Sequence, residues 1–153
     1  MEIKNLEPIL KEHSFFKDIP QKYFSFIVGC ASNVVFKAGS SILKEGGDAD
    51  KFYLIRKGNV DVHIGSPRHI TVQTLHAGDI LGWSWLIPPY QYRFSATAMD
   101  DVRAVALDGK CFREKCEKNP DLGYEVLKRL VSVLTGRLEA TRLQLLDIYN
   151  KNA

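Results

Sequence analysis

The sequence predicts a mainly β fold of the α+β class: a jelly roll (double-stranded β-helix) with helices before it and one long helix after it. Between about residues 33 and 107, β-branched and aromatic residues form short segments separated by glycine turns, which is typical of an antiparallel barrel or jelly roll. On either side, apolar residues recur at helical spacing. A chain of 153 residues fits one hydrophobic core, so we expect residues 1–153 to form a single domain.

The first helical region extends from Leu6 to about Cys30. The run Asp18-Ile19-Pro20 interrupts it, because proline fits the first turn of a new helix better than the middle of one. We therefore expect helical segments on both sides of this run, ahead of the β region.

Short strands with glycine turns between them are predicted next. They cover residues 33–36, 41–43, 51–56, 60–64, 70–75, 92–99 and 102–107. Most of the turns contain glycine, which supplies the positive φ that a tight turn requires, and one is formed by Ser66-Pro67.

The pattern returns to helical spacing after the β region. A short helix is predicted over residues 109–118, ended by Asn119-Pro120, because a residue before proline avoids the helical conformation. A long helix follows over about residues 121–149. Its apolar positions alternate steps of four and three, as in a coiled-coil seam. The seam comprises Leu127, Val131, Leu134, Leu138, Thr141, Leu145 and Ile148.

This seam can pack against its own β-roll or against a second copy of the chain. The predicted helix is longer than a domain of this size is expected to cover, which favours a homodimer through the C-terminal helix. Thr141 is the polar position within the seam.

Composition indicates an ordinary cytoplasmic protein. The formal net charge is +3, and acidic residues are interspersed among the basic ones of the C-terminal half, which favours a solvated helix surface over a nucleic-acid-binding patch. The apolar stretch 80–89 is too short to span a membrane. The N-terminus lacks the basic and apolar regions of a secretory signal.

The three cysteines are Cys30, Cys111 and Cys116. Their odd number and their spacing match neither a disulfide framework nor a zinc knuckle. We expect reduced thiols.

Four segments together resemble the cyclic nucleotide-binding domains of catabolite-activator-type bacterial regulators and of kinase A regulatory subunits. They read KAGSSILKEGGDAD (37–50), FYLIRKGNV (52–60), LHAGDILG (75–82) and AMDDV (98–102), and they occur in the family's order. The resemblance implies a β-roll that binds a cyclic nucleotide or another small anionic ligand and signals through its C-terminal helix. The bacterial regulators continue into a helix-turn-helix that this sequence does not contain, so no DNA binding is expected of this chain.

The family's binding cassette is expected over residues 82–97. In the family, a short helix after the glycine directs its N-terminal amides at the cyclic phosphate, and a glutamate accepts a hydrogen bond from the ribose hydroxyl. Here Gly82 is retained and a short helix is predicted over 83–87, but Trp83 replaces the glutamate. Since an indole is only a donor, the resemblance implies altered or lost nucleotide preference.

The family's phosphate-binding arginine has two candidate positions. Alignment through Ala98 places Tyr92 there, whereas alignment through the arginine itself selects Arg93. One residue of slip in a strand reverses the face of a side chain, so Arg93 faces either the pocket or solvent. The other candidate ligand contacts are Ser84, Trp85, Phe94 and Ser95.

Two other functions compete with the sensor. A scaffold that has lost its ligand is consistent with the missing glutamate. A cupin-type metal enzyme requires clustered histidines, but the spacing of His63, His69 and His76 does not place all three on one barrel face. We therefore predict no enzyme activity, no cofactor and no metal site.

Overall fold

The computed structural model describes residues 6–65 and 69–152. Its strands are β1 (Ala31–Phe36), β2 (Ser41–Leu43), β3 (Lys51–Lys57), β4 (Val60–Ile64), β5 (Ile70–Leu75), β6 (Ile80–Leu81), β7 (Ser95–Ala98) and β8 (Val102–Asp108). Its α-helices are α1 (Glu7–Glu12), α2 (Phe24–Val28), α3 (Gly109–Lys118) and α4 (Pro120–Lys151), with short 3₁₀ helices at Ser14–Phe16 and Gln21–Tyr23. The predicted turn at Ser66-Pro67 lies outside the described residues.

Two four-stranded antiparallel sheets form the β-roll. The first has the order β1-β8-β3-β6 and the second the order β2-β7-β4-β5. This arrangement, with helices before it and a long helix after it, confirms the predicted fold class. The structure adds β6, whose two residues were not predicted as a strand.

The predicted strand over 92–99 is wrong at its start, since β7 begins at Ser95. The backbone of Tyr92 instead exchanges hydrogen bonds with the glycine turn after β2, donating to the Gly47 carbonyl and accepting from the Gly46 amide. Because the Tyr92 backbone is committed to that turn, it cannot pair with β4.

Strand β3 is apolar along most of its length because it separates two cores. Phe52 and Leu54 belong to a core shared with the helices, whereas Tyr53 and Ile55 belong to the core between the two sheets. Successive side chains of a strand point to opposite faces, so one run of apolar residues supplies both cores. This places β3 and its neighbour β6 directly under the helices.

The N-terminal helices are shorter than their periodicity predicts. The chain leaves the helical conformation at His13, which caps the first 3₁₀ helix by accepting a hydrogen bond from the Phe15 amide at 3.2 Å. Asp18 takes a positive φ of 67°, just ahead of Pro20, where the sequence predicts the interruption. These breaks let Phe15 and Phe16 enter the helix-facing core.

Helix α4 has one side on the domain and one side free of it. Leu122, Val126 and Leu130 are buried, and Val133 packs partly against the same core. The predicted seam is a different row: its apolar members, from Leu127 to Ile148, are 37–59% exposed. The first of the two arrangements predicted for the seam, packing on its own β-roll, is therefore not the one adopted.

The prediction of three reduced thiols is wrong for two of them in this structure. A disulfide joins Cys30 to Cys111, with the two Cα atoms 5.7 Å apart. Cys30 precedes β1 and Cys111 lies in the first turn of α3. Pairing of Ala31 with Leu107 brings the two cysteines together. Because they are 81 residues apart in the sequence, their spacing does not predict the disulfide. Cys116 is free, and burial raises the pKa of its thiol to about 11.

No helix among the described residues combines the length and apolarity needed to cross a membrane.

Candidate ligand-binding site

Gly82 opens the segment that corresponds to the predicted cassette. Its φ of 90° is left-handed, which glycine adopts without steric cost. A Cβ there would stand 3.7 Å from the Tyr92 ring and 3.6 Å from the Lys51 carbonyl oxygen. Both distances are ordinary van der Waals contacts, so the positive φ, rather than a lack of space, favours glycine at the end of β6.

The short helix predicted over 83–87 is wrong. The segment forms a turn, in which the Leu86 amide donates to the Trp83 carbonyl at 3.3 Å. Pro88 disfavours a helical conformation at Ile87. In addition, the Trp85 side chain packs in the core. Since no helix occurs in residues 82–94, this segment lacks the helix N-terminus that binds a phosphate in the family.

Trp85 is a core residue rather than a pocket wall. Its side chain is fully buried, stacks on Phe52 with centroids 4.6 Å apart, and meets Phe112 edge to face. Its neighbour Ser84 is also buried. The Trp85 carbonyl accepts a hydrogen bond from Arg113 of α3, so the cassette is anchored to the helical layer at this point.

Trp83 joins the cassette to the long helix. Its ring packs edge to face on Phe94, with centroids 5.0 Å apart, and the Arg137 guanidinium carbon lies 5.2 Å from its centroid. Arg137 also donates a hydrogen bond to the Ile80 carbonyl at the start of β6. One α4 side chain thus contacts residues on both sides of Gly82.

The Arg137 guanidinium is partly withdrawn from water. Burial lowers its pKa, and the Asp79 carboxylate opposes that change. A guanidinium remains charged under these conditions, so a positive charge with incomplete solvation faces the cassette. Such a group favours an anion as a partner.

Tyr92 is bound to β3. Its hydroxyl donates to the Lys51 carbonyl at 2.5 Å and accepts from the Lys51 amide at 3.2 Å. Burial raises the pKa of this phenol to about 12. The hydroxyl thus stays protonated at neutral pH. Ser95 is similarly engaged, accepting a hydrogen bond from the Glu45 amide at 3.0 Å.

Arg93 is exposed. Within residues 6–65 and 69–152 its side chain forms no hydrogen bond and no ion pair. Of the predicted site residues, the structure brings together Gly82, Trp83, Tyr92 and Phe94. It places Trp85 in the core, turns Ser95 toward the Glu45 amide, and leaves Arg93 in solvent.

A cavity of about 410 Å³ lies between α4, the β5–β6 connection and the first 3₁₀ helix. Its polar lining includes Ser14, Asp79, Arg129, Ser132 and Arg137. Arg129 is held in place by Glu125, 2.7 Å away, and by the Lys17 carbonyl. The cavity is large enough for a small organic ligand. Its lining contains two guanidinium groups and the Asp79 carboxylate, and the Arg129 charge is paired with Glu125, so among the described residues Arg137 is the guanidinium without a carboxylate in direct contact.

Sequence reasoning missed both arginines of this cavity. Arg129 and Arg137 stand among several basic residues of a helix whose other basic side chains are exposed. Their spacing of eight residues places them on one side of that helix. No local motif distinguishes them from Arg142, which is exposed and pairs with Glu139.

Two of the three histidines between residues 60 and 80 come together, which their spacing did not predict. His63 and His69 stack with centroids 3.8 Å apart, and Asp61 joins them. His76 lies elsewhere and bonds to Asn59. The three histidines are therefore not gathered in one place, as expected, but two of them and a carboxylate are.

The chain is similar in sequence and in structure to known proteins. A model of the family described as "Cyclic nucleotide-binding domain" matches residues 33–119. The CRP-like cAMP-activated global transcriptional regulator of Mycobacterium tuberculosis is 26% identical over 145 residues, which cover 94% of this chain and 63% of that protein. The cAMP-dependent protein kinase regulatory subunit of Dictyostelium discoideum is 28% identical over 94% of this chain and 46% of that protein.

Among solved structures, a Geobacter metallireducens protein described as a cyclic nucleotide-binding protein superposes with a TM-score of 0.79 at 32% identity. The match covers 86% of this chain and 97% of that chain. By contrast, this chain spans less than two thirds of the length of the two curated relatives.

Proposed function

The chain belongs to the cyclic nucleotide-binding domain family, and we propose that it is a sensor that binds a small anionic ligand beside Arg137 and signals by moving α4. A cyclic nucleotide is the first ligand to test. The observation that carries the proposal is the contact of Arg137 with both Trp83 and the Ile80 carbonyl.

Two features support an anion beside Arg137. Arg129 and Arg137 line one cavity of about 410 Å³ with Ser14 and Ser132. The Ser14 hydroxyl already donates to the Gly78 carbonyl, and Arg129 is paired with Glu125, so Arg137 and Ser132 are the donors that an anion would meet there. The Trp83 ring offers a flat face for a planar ligand. A ligand phosphate that pairs with Arg137 would compete with its cation–π contact and with its bond to the Ile80 carbonyl.

Signalling follows from that competition. Beyond Leu130, most of the large apolar side chains of α4 are exposed. Arg137 is one of the residues of this part that contact the rest of the domain, through its hydrogen bond to the Ile80 carbonyl. A ligand that takes over the Arg137 guanidinium would change the relative stability of two placements of α4, which is a population shift. No catalytic step is part of this proposal, and the regulatory relatives support a binding role.

The test is calorimetric titration of the purified chain with cyclic AMP, cyclic GMP and cyclic dinucleotides. We expect Arg137→Ala to weaken binding by roughly 2–5 kcal/mol, as for loss of one partner of a buried charged pair. Arg93→Ala is the matched control, since it removes an exposed arginine from the same region.

A loss of affinity in Arg93→Ala with none in Arg137→Ala would return the anion site to the position that the sequence alignment suggests. A folded wild type that binds none of these nucleotides would favour the second candidate function, a scaffold β-roll. Trp83 in place of the glutamate and the absence of a cassette helix in residues 82–94 support that candidate.

A further inference from the structure

The β4–β5 hairpin carries three metal-ligating side chains that the proposed sensor site does not use. Asp61 and His63 lie on β4 and His69 immediately precedes β5, and one ligand atom from each lies within 4.8 Å of the other two. Val60 and Val62 are buried in the core between the sheets. Because side chains alternate along a strand, Asp61 and His63 share the opposite face, outside the β-roll.

The three side chains already contact one another. The rings of His63 and His69 are stacked 3.8 Å apart at an interplanar angle of 21°. His69 Nε2 lies 2.5 Å from Asp61 Oδ2, and His63 Nε2 lies 3.0 Å from the Thr97 hydroxyl. Thr97 on β7 therefore orients His63, as hydrogen-bond partners of metal ligands commonly do.

One atom of the cluster lacks a partner. Asp61 Oδ1 is buried and accepts no hydrogen bond within residues 6–65 and 69–152. A buried carboxylate oxygen without a donor is costly. The Asp61 side chain is 16% exposed, whereas that of His69 is 52% exposed, so the cluster is enclosed at the carboxylate and open to solvent at one imidazole.

We propose that Asp61, His63 and His69 bind a divalent transition-metal ion of the zinc type. Two imidazoles with one carboxylate suit Zn²⁺ and its neighbours, whereas Ca²⁺ and Mg²⁺ favour sets of oxygen ligands. Three protein ligands with an open fourth position are a common zinc arrangement. The open position lies on the solvent side, beside His69, and the ion would supply the partner that Asp61 Oδ1 lacks.

Such an ion would also join the two strands of the hairpin. Asp61 and His63 belong to β4. His69 immediately precedes Ile70, the first residue of β5, which pairs with Ile64 of β4. Because the ion binds the folded hairpin and not the unfolded chain, it should raise the unfolding temperature of the whole domain.

The experiment uses the full chain, freed of metal with a chelator and titrated with Zn²⁺ in a calorimeter. We expect one Zn²⁺ per chain and a higher unfolding temperature that reverses on addition of chelator. Loss of a hydrogen-bond partner of a metal ligand commonly lowers the metal affinity about 10–100-fold. Loss of a ligand itself, in Asp61→Asn, His63→Gln or His69→Gln, should therefore lower the Zn²⁺ affinity about 10–100-fold or more. Thr97→Val, which removes only the positioning hydroxyl, should weaken it less.

His76→Gln is the matched control, because it removes a histidine of the same region that lies outside the cluster. It should leave Zn²⁺ affinity unchanged. Circular dichroism of each variant reports folding. Binding of Co²⁺ to the wild type, read from its visible absorption, tests for an imidazole-containing site without any substitution.

The proposal is overturned if the wild type binds no Zn²⁺ in stoichiometric amount and gives no Co²⁺ spectrum. It is also overturned if folded His63→Gln and His69→Gln variants bind Zn²⁺ as the wild type does. Both readouts are independent of the nucleotide titration, so failure of the metal site and failure of the sensor proposal are distinguishable.

Discussion

The predicted alignment of the cassette places Trp83 at the position of the family's glutamate, and the contacts of Trp83 show what restoring a carboxylate there would change. Its indole cannot accept a hydrogen bond from a ribose hydroxyl, and it instead packs on Phe94 and under Arg137. Trp83 is therefore expected to affect the nucleotide preference of this chain, beside the absence of a helix in residues 82–94.

We predict that Trp83→Glu raises the affinity for cyclic AMP, because pairing a buried hydroxyl is worth on the order of 1–3 kcal/mol. Calorimetric titration measures the change. Trp83→Leu is the control, since it also removes the ring but supplies no acceptor. Equal affinity of the folded Glu and Leu variants would show that the ribose contact does not limit binding.

His13 provides a pH-dependent contribution to stability. It is 8% exposed. Its Nδ1 accepts from the Phe15 amide, so its Nε2 carries the hydrogen that is donated to the Ile55 carbonyl, 3.2 Å away. Burial lowers the pKa of His13. The bond to Ile55 and the Asp79 carboxylate raise it in part, and the Arg56 guanidinium lowers it further.

We predict that the free energy of unfolding falls as the pH is lowered below 6.5, the ordinary value for histidine. The unfolded chain takes up a proton there while folded His13 stays neutral, so the folded state loses stability down to its own lowered pKa, with a slope of at most about 1.4 kcal/mol per pH unit. Urea unfolding between pH 8 and pH 5 measures it. His13→Gln should flatten the slope, and parallel curves would remove His13 as the cause.

At the scale of elements, the disulfide ties the end of the N-terminal helices to α3. Cys30 contributes to the core shared by both, and Cys111 packs against it. In the chain-entropy model, closing a loop of 81 residues lowers the conformational entropy of the unfolded chain and so raises the free energy of unfolding by about 4–5 kcal/mol. The cross-link would therefore stabilise the folded arrangement of the N-terminal helices and α3.

We predict that protein purified without reductant contains one reactive thiol per chain after denaturation, that of Cys116, and unfolds at a lower temperature when reductant is added. Cys111→Ser should abolish the effect of reductant, and Cys116→Ser should retain it. Three thiols per chain would contradict the disulfide. The cytoplasmic location stays a prediction, and the thiol state bears on it because disulfides are rare in reducing compartments.

At the scale of the whole molecule, the exposed apolar seam of α4 favours association with another chain. Leu127, Val131, Leu134, Leu138 and Leu145 leave 37–59% of their surface in water, while a separate row of the same helix packs on the domain. A seam with coiled-coil spacing is complementary to a second copy of itself, which supports the proposed homodimer. Thr141 donates to the Arg137 carbonyl within its own helix, so its hydroxyl needs no partner across the seam.

We predict that the wild type is a dimer at tens of micromolar and that Leu134→Glu with Leu138→Glu makes it a monomer with a folded β-roll. Burying one leucine contributes about 1.5–3 kcal/mol, and charge at two seam positions removes that gain from both chains. Sedimentation measures the mass, with circular dichroism as the folding control. Ala140→Glu with Leu143→Glu adds the same charge away from the seam and should leave the dimer intact. A monomeric wild type would refute the prediction.

How much of this protein its sequence predicts depends on the range of the interaction concerned. Strand positions, glycine turns and the extent of α4 depend on residues close in sequence, and the structure confirms them within a few residues, with β7 as the main exception. The match of four motifs likewise identified the family. In each case the determining contacts are local, so periodicity and turn residues carry the information.

Contacts between distant segments were decided only by the tertiary structure. The β1–β8 pairing places Cys30 beside Cys111, the pairing of β4 with β5 and β7 gathers Asp61, His63 and His69, and docking of α4 brings Arg137 to Trp83. The prediction of a helix in the cassette was wrong because the conformation of that segment also depends on distant contacts. Trp85 is buried against Phe52 and Phe112, and this burial outweighs the local helix propensity. Side chains far apart in the chain meet only when the sheets and helices pack, and spacing along the sequence does not record that packing.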